Sequence, residues 1–261
     1  MQSLRIAATG MAAQQMRVDV ISHNLANMST TGYNARRAEF ADLHYQQLVR
    51  AGTISAADGR EVPTGVQLGL GVRPASVAME LQQGVLSLTG GDLDLAIEGQ
   101  GYLEVTLPGG QAGYTRDGAL KRTSEGQVVT SDGHPLVPDI TIPADARSVS
   151  ISADGEVYAY FLGEVQPQLL GQVTLADFTN EKGLEAIGSN LFVETAASGP
   201  AIVGTPGIDG LGTLRQGYLE DSSVDPVREI TELIKAQRGY ELNAKVITAA
   251  DQMLAATAQV R

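Results

Sequence analysis

The chain of 261 residues contains no cysteine and no tryptophan, and only 5% of its residues are aromatic. Without cysteine it has no disulfide, no thiolate metal ligand and no thiol nucleophile. So few aromatic rings argue against a surface on which successive nucleic-acid bases stack. The missing residue types therefore exclude thiol chemistry and disfavour one common mode of nucleic-acid binding.

Basic residues are also few, with 18 Lys and Arg against 30 Asp and Glu and a formal net charge of −12. Proteins that bind phosphate backbones or anionic lipid need a positive surface. We therefore expect no nucleic acid among the partners.

Long hydrophobic runs are absent as well. The apolar N-terminal stretch is interrupted by Arg5, Gln14, Gln15, Arg17 and Asp19, so it falls well short of the roughly 20 apolar residues of a membrane span. It also lacks the apolar core and small-residue cleavage site of a secretory signal. We expect neither a membrane span nor a cleavable signal peptide.

Candidate catalytic groups are hard to find. His23 lies within the predicted first helix, and His44 and His134 have no carboxylate or histidine at metal-ligand spacing. Two carboxylates for cell-wall glycoside hydrolysis exist among 30 acids, but nothing in the pattern marks a pair. We expect no metal, no cofactor and no enzymatic activity.

The glycines and the charge are unevenly distributed. Only Gly10 lies within residues 1–31 and only Gly239 within residues 226–261, whereas residues 32–225 hold the other glycines and nine of the ten prolines. Each end carries a net charge of +1, which leaves −14 for the middle. Two nearly neutral segments without chain breakers thus flank an acidic segment rich in turns.

The N-terminal segment has the spacing of an amphipathic helix. Leu4, Met11, Val18 and Leu25 recur every seven residues, and a companion column that includes Ile21 follows three residues later. The breaker cluster from Ser29 to Gly32 predicts that this helix ends near Asn27.

The C-terminal segment predicts a second, longer helix. Asp225 is a suitable N-cap and Pro226 suits the first helical position. One heptad column follows, formed by Leu233, Tyr240, Ile247 and Leu254. Since neither terminal helix has a helical neighbour in sequence, we expect the two to pair with each other, and with other copies, as a coiled-coil-like layer.

The middle of the chain predicts short antiparallel strands. Residues 92–98 alternate acidic and apolar side chains, and Leu103, Val105 and Leu107 alternate after them. Asp154-Gly155 separates two alternating runs as a hairpin turn does, and Asp117-Gly118 and Asp132-Gly133 predict similar turns. The expected fold class is α+β, with long terminal helices and a central antiparallel β-rich domain.

We divide the chain accordingly into three parts. Residues 1–33 and 222–261 form a terminal helical domain, residues 34–75 an extended linker and arm, and residues 76–221 a β-rich outer domain. Within the second part, the arm would occupy about residues 45–64.

Four segments resemble the bacterial flagellar axial proteins, the family of rod, hook and hook-associated proteins. They are ISHNLANMSTTGY at 21–33, LDLAIEGQGYLEV at 93–105, YTRDGALKRTSEGQVVTSDGHPLVP at 114–138 and EITELIKAQRGYELNAKVITAADQML at 229–254. The first carries the signature Asn-Leu-Ala-Asn followed by Thr-x-Gly and an aromatic residue. The segment GVQLGLGVRP at 65–74 is similar to the stretch that follows the insertion of distal-rod proteins. This resemblance implies that the arm at about residues 45–64 is that rod-specific insertion.

The resemblance implies a structural subunit that polymerises helically into the distal rod, the rigid drive shaft of the flagellum. It implies export through the flagellar type III apparatus into the periplasm, and contacts with further copies, proximal-rod proteins, the hook protein and the P- and L-ring proteins. The candidate residues for self-assembly are Leu4, Met11, Val18, Ile21, Asn24, Leu25, Asn27, Leu233, Gln237, Tyr240, Ile247 and Leu254. Those of the arm are Tyr45, Val49, Ile54, Val62 and Pro63.

Two alternatives stay open at this point. One is a proximal-rod protein of similar length from the same family. The other, from a different class, is a secreted β-rich adhesive or binding module whose terminal helices oligomerise. The adhesive module would need an exposed pocket with aromatic residues, and 8 Tyr and 4 Phe spread along the chain do not favour it.

Overall fold

A computed structural model describes residues 2–50, 64–163 and 166–259, and the side chains up to residue 256. The chain divides into two compact units. The first, here the helical unit, comprises Met1–Leu25, Arg36–Ala78 and Asp225–Arg261, and the second, the β-rich unit, comprises Ala26–Ala35 and Met79–Val224. The predicted α+β composition, with a helix near each end and antiparallel strands between, is confirmed.

Both terminal helices begin and end close to the predicted positions. Helix α1 spans Gln2–Ala26 and helix α2 spans Pro226–Gln259. The Asp225 carboxylate accepts a hydrogen bond at 2.9 Å from the backbone N–H of Val227, which is the contact expected of an N-cap. Local sequence signals therefore set these boundaries.

The helical unit also contains a β-ribbon. Strand β1 (Arg36–Asp42) pairs with β4 (Val72–Met79), and β2 (Tyr45–Val49) runs antiparallel to β3 (Val66–Gly69). Two backbone hydrogen bonds, Leu43 N–H to Gly71 O and Leu70 N–H to His44 O, continue the pairing between them.

The ribbon occupies the described part of the segment that the sequence predicted to be an extended linker and arm. All five residues of β2 are exposed, so neither face has a buried side to impose an alternation of apolar and polar residues. Such strands are held by backbone hydrogen bonds that leave no hydrophobic pattern in the sequence. Ile54, Val62 and Pro63 lie outside the described residues.

The β-rich unit consists of short strands. In chain order they are β5 (Leu86–Leu88), β6 (Leu95–Glu98), β7 (Tyr102–Thr106), β8 (Ala112–Thr115), β9 (Lys121–Arg122), β10 (Val128–Val129), β11 (Leu136–Val137), β12 (Ala146–Ile151), β13 (Glu156–Phe161), β14 (Gln168–Gln172), β15 (Leu175–Asp177), β16 (Glu185–Gly188), β17 (Leu191–Val193), β18 (Ile202–Gly204), β19 (Thr213–Gln216) and β20 (Tyr218–Glu220). A 3₁₀ turn, Glu181–Gly183, precedes β16.

The largest sheet has the order β16-β17-β8-β7-β15-β18, with β11 also paired to β7. Strands β12, β13 and β14 form a second sheet, while β6–β19, β5–β20 and β9–β10 are separate pairs. Leu103 and Val105 of β7 are fully buried, as their alternation predicted. They belong to an apolar core that includes Leu175 of the neighbouring strand.

Two strand predictions need correction. The predicted strand 92–98 begins only at Leu95, and Ala96 is as buried as its neighbours, so both faces are covered rather than one. Asp117-Gly118 is not a hairpin turn, because β8 and β9 on either side of it do not pair. The Asp117 carboxylate instead accepts a hydrogen bond from Ala119 N–H, a local turn built on a side chain.

Candidate assembly surface

Helices α1 and α2 run antiparallel within the helical unit. Residue numbers on α1 rise as those on α2 fall along a series of contacts: Gly10 with Asn243, Gln14 with Gly239, Arg17 with Glu232 (2.5 Å) and Asn24 with Glu229 (3.3 Å). Lys235 also binds Glu232 at 2.7 Å. This hydrogen bond and the Lys235 charge, with a smaller contribution from the Arg17 charge, lower the pKa of Glu232.

The contacts between the helices involve glycine and polar side chains, and most of the side chains buried on the two helices are small. Ala13, Ala236 and Ala250 are buried on these two helices, together with Ala7 and Asn24. Small residues let two helix backbones approach closely. Among the larger apolar side chains described on the two helices, Ile21 is buried and the others are half-buried or exposed.

The predicted residues of α1 lie at or beside this contact. Ile21 is 5% exposed and Asn24 1% exposed, whereas Leu4, Met11, Val18 and Leu25 are half-buried. The N-terminal column therefore faces partly inward within one chain and leaves part of each side chain accessible.

The predicted residues of α2 are more exposed. Leu233 and Ile247 are half-buried, Gln237 is exposed, and Tyr240 and Leu254 are 45% and 42% exposed. By the register of the contacts, the start of α1 lies opposite a position near residue 251. Leu254 therefore lies beyond the start of α1, with no described residue of that helix opposite it.

A second set of apolar side chains on α2 lies outside the predicted assembly set, although the sequence pattern already placed Val246 and Met253 beside the heptad column. Six large side chains outside the heptad column are 46% to 75% exposed, namely Val227, Ile230, Ile234, Leu242, Val246 and Met253. Exposed apolar side chains in such number mark a surface that contacts another protein. The available signal was that α2 carries apolar residues on more than one face.

An open groove of about 400 Å³ runs beside the two helices. It is lined by Gln15, Val18, Gln237, Tyr240 and Glu241. Three of these residues belong to the predicted assembly set. The groove gives that part of the set a concave, partly apolar surface.

Asn24 and Asn27 of the signature hold the chain where α1 ends. The side-chain amide of Asn24 donates to Arg36 O at 2.8 Å, and its carbonyl oxygen accepts from Arg36 N–H at 2.9 Å. Asn27 accepts a hydrogen bond from the Thr30 hydroxyl at 3.2 Å. Asn24 thus joins the end of α1 to the start of β1 within one chain.

The ribbon follows α1 along its length. Gln2 donates to Gln46 at 3.0 Å, and Val72 N–H donates to the Thr9 hydroxyl at 3.3 Å. The length of α1 between Gln2 and Asn24 is about 33 Å, at a rise of about 1.5 Å per residue. An extended strand covers about the same length over the ten residues from position 36 to 46, at about 3.3 Å per residue.

The described part of the arm is strongly exposed. Tyr45 is 56% and Val49 40% exposed, and Leu48, Val66 and Leu68 are exposed beside them. A hydrogen bond to the Asp42 carboxylate raises the pKa of Tyr45. The hairpin β2–β3 therefore presents apolar side chains that the described residues of its own unit leave exposed.

The two helical glycines face amide side chains and should respond differently to alanine. A Cβ at Gly239 would lie 3.1 Å from Cδ of the long, flexible Gln14, whereas one at Gly10 would lie 2.9 Å from Nδ2 of Asn243. Asn243 is held by its hydrogen bond to Gly239 O. We expect Gly239→Ala to raise the free energy of unfolding of the helices by up to about 1 kcal/mol through helix propensity.

Gly10→Ala gains the same propensity but must displace Asn243, so we expect it to be neutral or destabilising. Thermal unfolding followed by far-UV circular dichroism compares the two variants with the unaltered chain. A melting temperature lower for Gly239→Ala than for Gly10→Ala would contradict this account of the contact.

Within the described ranges 2–50, 64–163 and 166–259, no helix is long and apolar enough to cross a membrane. The same residues contain no cluster of three or more His, Asp or Glu side chains placed to hold a metal ion.

Comparison with known proteins identifies the family. Residues 4–34 match the family "Flagella basal body rod protein", residues 96–159 the "Flagellar hook protein FlgE/F/G D1 domain" and residues 215–260 the "Flagellar basal body rod FlgEFG protein C-terminal". These matches include both helices and part of the β-rich unit.

Full-length relatives agree with the family matches. The chain is 55% identical to the flagellar basal-body rod protein FlgG of Caulobacter vibrioides, over all of both proteins. It is 46% identical to that of Buchnera aphidicola subsp. Acyrthosiphon pisum, over 99% of each, and 38% identical to that of Bacillus subtilis, over 97% of each. The chain therefore belongs to the family of flagellar basal-body rod proteins and is a structural subunit of the flagellar rod.

Proposed function

We propose that this rod subunit polymerises helically into the distal rod and transmits torque from the motor to the hook. The observation that carries the proposal is the set of apolar side chains that α2 exposes while its contact with α1 uses small and polar residues. Copies packed side by side would bury those side chains, since apolar burial is the main driving force of association.

In this proposal α1 and α2 pair as a coiled-coil-like layer, and neighbouring copies dock on the exposed residues of α2 and in the groove beside Val18 and Tyr240. When identical subunits contact each other through two different surfaces, each subunit is rotated relative to the one before it. The result is an open helical filament if these rotations do not close into a ring. The whole predicted assembly set, from Leu4 to Leu254, would then serve either the pair or its neighbours.

Asn24 and Asn27 take a different part in this scheme. Asn24 is 1% exposed and bonded to Arg36, so its part in assembly would be to fix the end of α1 within the subunit. Other residues of the signature would then meet neighbouring copies at a defined angle.

The hairpin β2–β3 is the part of the arm that supports a stiffening role. Its exposed Tyr45, Leu48 and Val49 give an extended apolar surface suited to a neighbouring copy. Contacts made by an arm that reaches to another subunit restrict the bending of a filament. The arm would thereby keep the rod straight, and Ile54, Val62 and Pro63 are proposed to take part.

The partners that follow are proximal-rod proteins on one side, the hook protein on the other, and the P- and L-ring proteins around the shaft. The subunit would reach the periplasm through the flagellar type III export apparatus without a cleavable signal. The net charge of −14 on residues 32–225 would keep the outer surface hydrated as it turns. We propose that the role is mechanical and involves no catalysis.

Electron microscopy of the purified full chain at rising protein concentration tests the proposal. Straight tubes of uniform diameter are the expected result. Curved tubes, or small closed oligomers in place of tubes, would contradict the distal-rod assignment. Release of soluble fragments from peptidoglycan by the same preparation would contradict the absence of catalysis.

A further inference from the structure

The chain passes between the helical unit and the β-rich unit four times. The passages follow Leu25, Ala35, Ala78 and Val224. Any force that enters the β-rich unit along the backbone must arrive through these four connections. Where they are fastened inside that unit decides how the force is distributed.

A buried ion pair lies where these segments meet the sheets of the β-rich unit. The side chains of Arg116 and Glu220 are 7% and 3% exposed, and Nη2 and Nε of Arg116 lie 2.9 and 3.0 Å from Oε2 of Glu220. The guanidinium also donates to Gly101 O at 3.1 Å and Gly99 O at 3.0 Å. Arg116 therefore ties Glu220 to the turn between β6 and β7.

Glu220 in turn holds two of the incoming segments. Its Oε1 accepts from Gly84 N–H at 2.9 Å, and its backbone carbonyl accepts from Gly32 N–H at 2.8 Å. Gly32 has φ of +64°, and a Cβ there would lie 2.8 Å from the carbonyl carbon of Arg116. The signature glycine is thus required by the close approach of its loop to the ion pair.

The remaining segments are joined to this loop by hydrogen bonds between backbone groups and by one to a serine hydroxyl. Ser223 N–H donates to Tyr33 O at 3.0 Å, and the Ser223 hydroxyl accepts from Ala35 N–H at 2.9 Å. Glu80 N–H donates to Ala35 O at 2.8 Å. The stretches that adjoin all four passages therefore form one hydrogen-bonded cluster around Arg116 and Glu220.

We infer that the Arg116–Glu220 pair is the mechanical anchor of the β-rich unit, which fastens its four chain connections to its sheets so that torsional load is shared among them. The statement that this anchor carries torsional load rests on the proposed torque-transmitting function. The fastening itself follows from the contacts. A buried charge pair that is also hydrogen-bonded to the neighbouring backbone is costly to break and specific in geometry.

Hydrogen exchange on the full chain with Glu220→Gln tests the fastening. In the variant an NH₂ group takes the place of one carboxylate oxygen. This donor would face another donor, either the Arg116 guanidinium or Gly84 N–H, so one of the two buried hydrogen bonds is lost. We expect the N–H groups of Gly32, Gly84 and Ser223 to exchange at least tenfold faster. Those of Ser152 and Val173, bonded around the turn between β12 and β13, should change less than twofold.

Glu98→Gln is the matched control, because Glu98 forms an exposed ion pair with Arg215 in the same unit. It should leave all five N–H groups unchanged. Uniformly faster exchange across the unit, or no change, would overturn the inference. If Glu220→Gln fails to fold, Arg116→Lys, which keeps the charge but loses the fork of donors, is judged by the same criterion.

Swimming speed in media of rising viscosity tests whether the ion pair carries torsional load, because the torque on the rod rises with viscosity. Cells whose rod consists of Glu220→Gln subunits should swim like the Glu98→Gln control at low viscosity and lose at least twofold more speed at high viscosity. Local loss of protection with control-like speed at every viscosity would overturn the anchor and leave the proposed rod function intact. Absence of rods with the unaltered chain would instead contradict the proposed function.

Discussion

Replacing Leu254 with aspartate is expected to abolish rod assembly and motility while the β-rich unit stays folded. Leu254 is 42% exposed and lies beyond the start of α1, so the change removes little packing within the chain. In a polymer the same position would be buried, and burial of an unpaired carboxylate costs several kcal/mol. Every subunit carries the defect, so we expect at least a tenfold fall in assembled rods, counted by electron microscopy of basal bodies.

Leu162→Asp is the matched control, since Leu162 is 82% exposed in the β-rich unit and undergoes the same chemical change. It should leave rods and swimming unaltered. Leu233→Asp should also prevent assembly, but Leu233 is half-buried, so a loss of helix packing would contribute. Normal rods with Leu254→Asp would show that the end of α2 is not part of the assembly surface.

Shortening the ribbon should leave rods that assemble but bend. Gln46 and Leu68 are register partners in the β2–β3 hairpin, so residues 47–67 can be replaced by Asn-Gly, which forms a tight two-residue turn. The variant keeps the contact between Gln2 and Gln46 and loses most of the exposed apolar surface of the arm. We expect curved rods in place of straight ones, visible in electron micrographs.

A variant in which Leu48 and Leu68 are both changed to Ser separates surface chemistry from length. It keeps the ribbon and removes two exposed apolar side chains, so intermediate stiffness is expected. Straight rods from the shortened chain would contradict the role of the arm. Absence of rods would show that the arm is needed for assembly itself.

The two large effects follow from features that differ in how far the sequence predicts them. The helix boundaries come from local signals, such as the Asp225 cap with Pro226 and the breakers after Ala26, and the structure confirms them. The alternation of β7 and the hairpin between β12 and β13 are local in the same sense. Residues a few positions apart decide these features.

The pairing of the ribbon was not predictable in this way. Strands β2 and β3 are exposed and carry no alternation, and Asp117-Gly118 has the composition of a hairpin turn without joining two paired strands. In both cases backbone hydrogen bonds or a side-chain turn take the place of a hydrophobic pattern. A composition rule cannot identify them, because the partner strand decides whether the turn closes a hairpin.

The sequence by itself determined the two helices, the β-rich class, the acidic middle and the resemblance to axial proteins, because each depends on neighbouring residues or on recognisable local motifs. Only the tertiary structure decided which side chains of α2 are left exposed and which residues meet at the buried ion pair. Gly10 and Asn243 contact each other across most of the chain, and Arg116 and Glu220 are 104 residues apart. Such contacts depend on the shape of two distant segments at once, and no local pattern encodes that shape.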